Sequence, residues 1–207
     1  QMYSLSVPYD VQLADIKYWD GSDIALGSAL YVSAYDGEAR ANQSKKTWIY
    51  ETDFNPATLK SGVGYTISAE LQAGVGSEYS ILRMPMNSNI ANDATEREKK
   101  VSVTAHGIDA NITDNHKGWN LVANPYLSNV TGSKASNEDG SFIIGELLSN
   151  KGDYSYGGDD VPYVTIPTYN FAHYYQVKLS DATLSPAYSF FVQVDDSGTM
   201  TFETDGR

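Results

Sequence analysis

The sequence predicts an all-β chain, an antiparallel β-sandwich of jelly-roll type built from two related β units. Three observations carry that expectation: short runs in which apolar and polar residues alternate, Gly, Asn, Asp and Pro corners between them, and a segment near residue 50 that recurs 125 residues later.

The runs follow one another along the whole chain. "YSLSV" comes first and stops at Pro8, which has no N–H for a sheet ladder. After the "WDGSD" corner comes "ALYVSAY", then a "YDGE" corner and the aromatic run "TWIYETDF". "GYTISAEL", "YSILRMP" and "KVSVTAHG" complete the first half, and "GWNLVAN", "YVTIP", "HYYQVKL" and "YSFFVQV" the second. A helical period of useful length is missing. The best helix candidates are "NDATEREKK", ending at Lys100, and "IIGELL", residues 143–148.

Residues 47–70 lie over residues 172–195 without a gap, so that Tyr50 meets Tyr175 and Ala57-Thr58-Leu59 meets Ala182-Thr183-Leu184. Upstream, "YVS" at 31–33 answers "YVT" at 163–165, and Pro8-Tyr9 answers Pro125-Tyr126. The order is kept while the offsets change, as when a duplicated unit has acquired loops of different length. The expected organisation is a first β unit over residues 1–105, with two extra strands after Glu70 that cover an edge or bridge the halves, and a second over 106–207. Either each unit is a domain or both belong to one continuous sandwich.

The chain has 207 residues, enough for a sizeable core, and a formal charge of −12. Nine basic side chains stand against thirteen acidic ones up to Ala105, and five against thirteen beyond it. With no basic run to meet phosphates, nucleic acid and anionic lipid are poor partners. Cysteine is absent, which removes disulfides, thiolate nucleophiles and Cys-based metal sites. No apolar run reaches the roughly 18 residues of a membrane-spanning helix. Sixteen Tyr, with abundant Gly, Ser, Asn and Thr, give an extracellular, β-rich composition, and the opening "QMYSLSVPYD" suggests a mature or excised piece of a longer protein.

"GWNLVANPY", residues 118–126, reads as a strand followed by a corner. Pro125 holds Asn124 out of helical geometry, and the Asn120 amide is suited to tying backbone. Together with "LSPAYSFFVQV" it resembles the GWNL-x-NPY and FFVQ pattern of secreted and cell-surface proteins of Bacteroidetes. "LKSGVGYTI" resembles the Leu-Lys-x-Gly-x-Gly-Tyr segment that precedes that pattern. The likeness spans about residues 4–203, with Ala123 where Gly is usual. It implies an extracellular β-sandwich module of large surface or secreted proteins. It assigns no catalytic residue.

Chemistry-bearing motifs are scarce. His106, His116 and His173 are scattered and lack zinc-site spacing, and no G-x-S-x-G elbow occurs. "GVGY" at 62–65 has no phosphate-loop lysine, so its glycines are expected to serve a turn. Calcium is the more plausible metal, held by oxygen-rich loops with Asp159 and Asp160 leading. For sugars, which stack on aromatic faces, the candidates are Tyr154 and Tyr156 in "NKGDYSYGGDD" and Tyr18 and Trp19 in "KYWDGSD".

The expectation is thus a non-catalytic structural or adhesion module of a secreted or surface-anchored bacterial protein, needing no cofactor unless calcium. It would sit beside neighbouring domains and meet a host or cell-surface protein or glycan, with no nucleic acid and no membrane insertion. The alternative is a carbohydrate-binding module using loop aromatics. A glycoside hydrolase with paired carboxylates comes third.

Overall fold

Alternating patterns of this kind bury one face of a strand and wet the other, and the backbone follows them. The computed structural model describes residues 3–42, 48–50, 58–70, 82–85, 98–107, 116–131, 135–137, 163–167, 173–178, 181–186, 188–194 and 197–203. The first half contributes β1 (Tyr3–Leu5), β2 (Val11–Gln12), β3 (Lys17–Tyr18), β4 (Leu30–Tyr35), β5 (Trp48–Tyr50), β6 (Thr58–Leu59), β7 (Tyr65–Ala69), β8 (Leu82–Arg83) and β9 (Glu98–Val103). The second contributes β10 (Trp119–Ala123), β11 (Val130–Thr131), β12 (Ala135–Asn137), β13 (Tyr163–Pro167), β14 (Tyr174–Lys178), β15 (Thr183–Leu184), β16 (Ser189–Gln193) and β17 (Gly198–Glu203). The fold is all-β, and the paired strands run antiparallel.

The repeat is visible in the strand order. One four-stranded sheet runs β1-β7-β4-β5 and the other β10-β16-β13-β14. In both, the opening strand pairs with the last, the last with the "YV" strand, and that with the aromatic strand. The registers match as well. Leu5 faces Tyr65 as Val122 faces Phe190, Ser33 faces Thr66 as Thr165 faces Phe191, and Val11 faces Leu59 as Val130 faces Leu184. The gapless overlay fails at the aromatic strand. Ser33 faces Tyr50 but Thr165 faces Gln176, so Tyr50 corresponds to Gln176 rather than Tyr175, a slip of one residue upstream of Thr58.

Two apolar clusters form. Leu5, Leu30, Val32, Tyr65 and Ile67 of the first sheet pack on Val7, Val11, Leu13, Ile16, Ile24 and Leu59. Val122, Phe190, Val192 and Val164 of the second pack on Val101, Val103, Met200 and Phe202. The last four come from a third sheet, β12-β17-β9, so β9, expected as an addition to the first unit, supplies the second core. Its first residues, Glu98 to Lys100, belong to the helix candidate ending at Lys100 but are extended, paired with Glu203, Phe202 and Thr201, while residues 92–97 of that candidate lie outside the described residues. Burying Val101 and Val103 in strand register outweighs the helix preference of a Glu- and Lys-rich run. The candidate at 143–148 lies outside the described residues. A short helix does form at α1 (Gly37–Ala41), in the "YDGE" corner, where Asp36 Oδ1 caps the Ala39 N–H at 2.9 Å.

β7 and β16 have both faces buried. One face of each belongs to its own cluster, and the other is covered by the opposite sheet. Ser4 Oγ lies 2.6 Å from Ser189 Oγ, and Tyr35 meets Phe191 edge to face at 5.0 Å. Gly64 N–H donates to Leu121 O at 3.0 Å, and Ala123 N–H donates to Gly62 O at 2.8 Å. The contact is reciprocal. Gly64 corresponds to Ser189 and Leu121 to Ser4, and the Ser189 N–H donates to Ser4 Oγ at 2.9 Å. Each unit thus offers the same two positions to the other, as partners do in an isologous dimer.

Candidate functional site

Leu13, Ile16 and Ile24 are buried in the first cluster, so the chain between Ile16 and Ile24 must leave the core and return within a few residues. It does so by a turn. Gly21 N–H donates to Tyr18 O at 2.9 Å and Tyr18 N–H to Ser22 O at 3.1 Å. Asp20 Oδ1 accepts from both the Ser22 N–H, at 2.9 Å, and its hydroxyl, at 2.6 Å, an Asx turn that stiffens the tip. At the base, Lys17 Nζ is 2.5 Å from Asp23 Oδ1, and this hydrogen bond and charge lower the Asp23 pKa.

β8 lies alongside, with Lys17 facing Arg83 and Tyr18 facing Leu82. Arg83 reaches over the turn, donates from Nη1 to Trp19 O at 3.3 Å, and sets its guanidinium carbon 5.8 Å from the centroid of the Trp19 ring, within cation–π range. The two candidate aromatics therefore part company. Tyr18 is half-buried against the first cluster, while the Trp19 side chain projects into solvent, 66% exposed. Arg83 had no signal in the sequence as a partner of Trp19, because 64 residues separate them and only the β3–β8 pairing brings them together.

Tyr154, Tyr156, Asp159 and Asp160 lie outside the described residues. Among the described residues, no group of three or more His, Asp or Glu is placed to hold a metal ion. The "DGSD" loop, one of the oxygen-rich loops in the sequence, directs Asp20 Oδ1 to Ser22 and Asp23 to Lys17.

The two signature segments have structural tasks. In "LKSGVGY", Lys60 Nζ reaches Asp10 Oδ2 at 2.6 Å, Ser61 N–H reaches Asp10 Oδ1 at 3.0 Å, and Lys60 N–H donates to Tyr65 Oη at 2.8 Å. Gly62 has φ +79°, and a Cβ there would strike Val101. A Cβ on Gly64 would stand 2.5 Å from Ser189 Cβ and 2.6 Å from Leu121 Cγ, so that glycine is where the units close on each other. Burial alone would raise the Asp10 pKa, but hydrogen bonds from Lys60 and Ser61 with the Lys60 charge leave it lowered. Burial pushes the Tyr65 phenol up to about 12, against the Lys60 N–H bond and with help from the Asp10 charge.

In "GWNLVANPY" the Asn120 amide acts as a strand residue would toward Thr104. It accepts the Thr104 N–H at 2.9 Å and donates to Thr104 O at 2.9 Å. Asn124 donates to Ser128 O and Leu184 O, each at 2.7 Å, and accepts the Tyr126 N–H at 2.9 Å. Tyr126 Oη donates to Phe202 O at 2.9 Å, and Trp119 is half-buried with its ring edge-on to Phe191 at 6.2 Å.

The fold and site together define an all-β protein whose Trp19 indole is braced and turned outward. Comparisons with family models, curated proteins and solved structures return no match.

Proposed function

We propose that this chain is a non-catalytic structural or adhesion module of a secreted or surface-anchored bacterial protein. The observation that supports it best is the use made of the signature residues. Asn120, Asn124, Tyr126, Asp10, Lys60 and Tyr65 all direct their polar atoms at backbone or at one another. A scaffold needs that arrangement; a catalytic centre needs polar groups left for substrate. The resemblance to Bacteroidetes surface proteins and the tyrosine-rich, acidic composition give the reading its extracellular setting. Neighbouring domains in a longer chain, and a cell-surface protein or glycan, are its natural partners.

The hydrolase reading gains no acid from Asp10 or Asp23. A glycosidase acid needs a carboxyl whose pKa is raised. Asp10 and Asp23, the described carboxylates with a resolved shift, both move down because lysines hold them.

Two assays test the proposal. Protease treatment of intact producing cells is expected to degrade the chain while cytoplasmic proteins survive. A screen of the purified chain on chromogenic glycosides and esters is expected to show no turnover above buffer. A protected chain, or turnover by the wild type, would overturn the reading.

A further inference from the structure

We propose that the Trp19 turn is a stacking site for an uncharged pyranose of a glycan. The inference goes beyond the module reading, because it assigns a ligand class to one side chain.

Four observations carry it. First, Trp19 is 66% exposed although the residues at both roots of its turn are buried, so the fold holds an indole in water rather than leaving it on a loose tail. Second, the turn is stiff: two backbone hydrogen bonds, the Asp20–Ser22 pair and the Lys17–Asp23 bridge fix it within seven residues. A stiff platform loses little conformational entropy on binding, which is how a single ring becomes useful. Third, Arg83 donates to the Trp19 carbonyl, which ties the turn to β8, and its guanidinium carbon 5.8 Å from the ring centroid favours one orientation of the indole. Fourth, the turn is polar on either side of the indole, since Asp20, Ser22 and Asp23 follow it in the chain and Arg83 lies against the ring, all of them exposed.

The size of the platform selects the ligand. A Trp side chain presents about 150–250 Å² at most, far below the roughly 800 Å² per partner of a stable protein interface, but close to the face of one sugar ring. A pyranose lays its C–H face on the indole while its hydroxyls reach the polar groups of the turn. Charge selects an uncharged sugar. Lys17 and Arg83 balance Asp20 and Asp23 within the turn, and the chain as a whole carries −12, a field that turns acidic polysaccharides away.

The test uses the full chain on a panel of neutral oligosaccharides of glucose, galactose and mannose beside sialylated, uronic and sulfated ones, with affinity read by calorimetry. Binding to one or more neutral members is expected, weakened by about tenfold in Trp19→Ala and less in Trp19→Phe, the loss of one aromatic stack. Thermal midpoints of both variants should match the wild type because the ring is exposed. Bound sugar should also shield the chain from acrylamide quenching in the wild type and not in Trp19→Phe. Equal affinity in Trp19→Ala, binding of acidic glycans alone, or no binding across the panel would each overturn the site. Beads coated with wild type or Trp19→Ala, assayed for attachment to cells, separate the two claims. Equal attachment by both overturns the Trp19 site as the adhesive contact and leaves the module reading in place.

Discussion

Asn124 shows how much one amide does at the corner after β10. It is 1% exposed and makes three hydrogen bonds, one to the buried Leu184 carbonyl, one to the half-buried Ser128 carbonyl and one from the Tyr126 N–H. Asn124→Ala strands those carbonyls and frees the Tyr126 N–H, at about 3 kcal/mol. Asn120→Ala, nearer solvent, should cost about 1 kcal/mol, since water can replace the amide. Urea denaturation of both variants checks the ranking, and equal losses would contradict it. Tyr65 makes a second prediction, in alkali. Its phenol has a folded pKa of about 12 against an ordinary 10.0, so the unfolded chain releases a proton first. The stabilisation is complete below pH 10 and is lost as pH rises toward 12. Tyr65→Phe should therefore be less stable at neutral pH by about 1 kcal/mol, through the lost acceptor of the Lys60 N–H, yet decline less steeply between pH 10 and 12. Thermal midpoints measured across that range for both proteins decide the matter.

Strands obey their own patterns only as far as a partner allows, and β9 is the case in point. Its six residues pair in unbroken register with β17, from Gly198 opposite Val103 to Glu203 opposite Glu98. Deuterium exchange should find residues 98–103 as protected as β16 and β17, because Val101 and Val103 open only when the second core opens. Fast exchange in β9 beside slow exchange in β17 would show that it is an attachment. The sequence made β9 legible as a strand through the alternation in "KVSVTAHG", as it did the other nine runs from "YSLSV" to "YSFFVQV". It did not show which core β9 joins, since that depends on pairing with a strand almost a hundred residues away. β17 itself escaped notice because "GTMTFE" gives the second cluster only two apolar side chains, Met200 and Phe202, amid threonines, too thin a pattern to stand out. Short pairs such as β2 with β6 are set by corners rather than by periodicity. Trp19 was legible as a candidate; its bracing by Arg83 was not, for the same reason of distance along the chain.

Across the molecule, the two units meet through positions that correspond in the repeat, Gly64 with Ser189 and Ser4 with Leu121, and this shared surface couples them. The outward faces of β7 and β16 would be wet if the units separated, exposing Thr66, Ser189, Phe191 and Gln193, all now buried. The first unit covers that face of β16 and the second covers that face of β7, so neither sheet has its native surroundings alone. Unfolding should consequently be one transition. Leu30→Ala in the first cluster and Met200→Ala in the second each remove a fully buried side chain and should cost about 2–5 kcal/mol. If the units are coupled, each variant lowers the single midpoint for both halves, whether followed by calorimetry or by exchange of β4 and β17 amides. Independent units would behave otherwise: Leu30→Ala would melt β4 early and leave β17 at its wild-type midpoint, and Met200→Ala would do the reverse. A wedge at the contact itself makes the third arm, because Gly64→Val forces a side chain against Ser189 Cβ and Leu121 Cγ while touching neither cluster. Coupling predicts that this variant splits the transition in two; a contact without energetic weight predicts that it changes nothing.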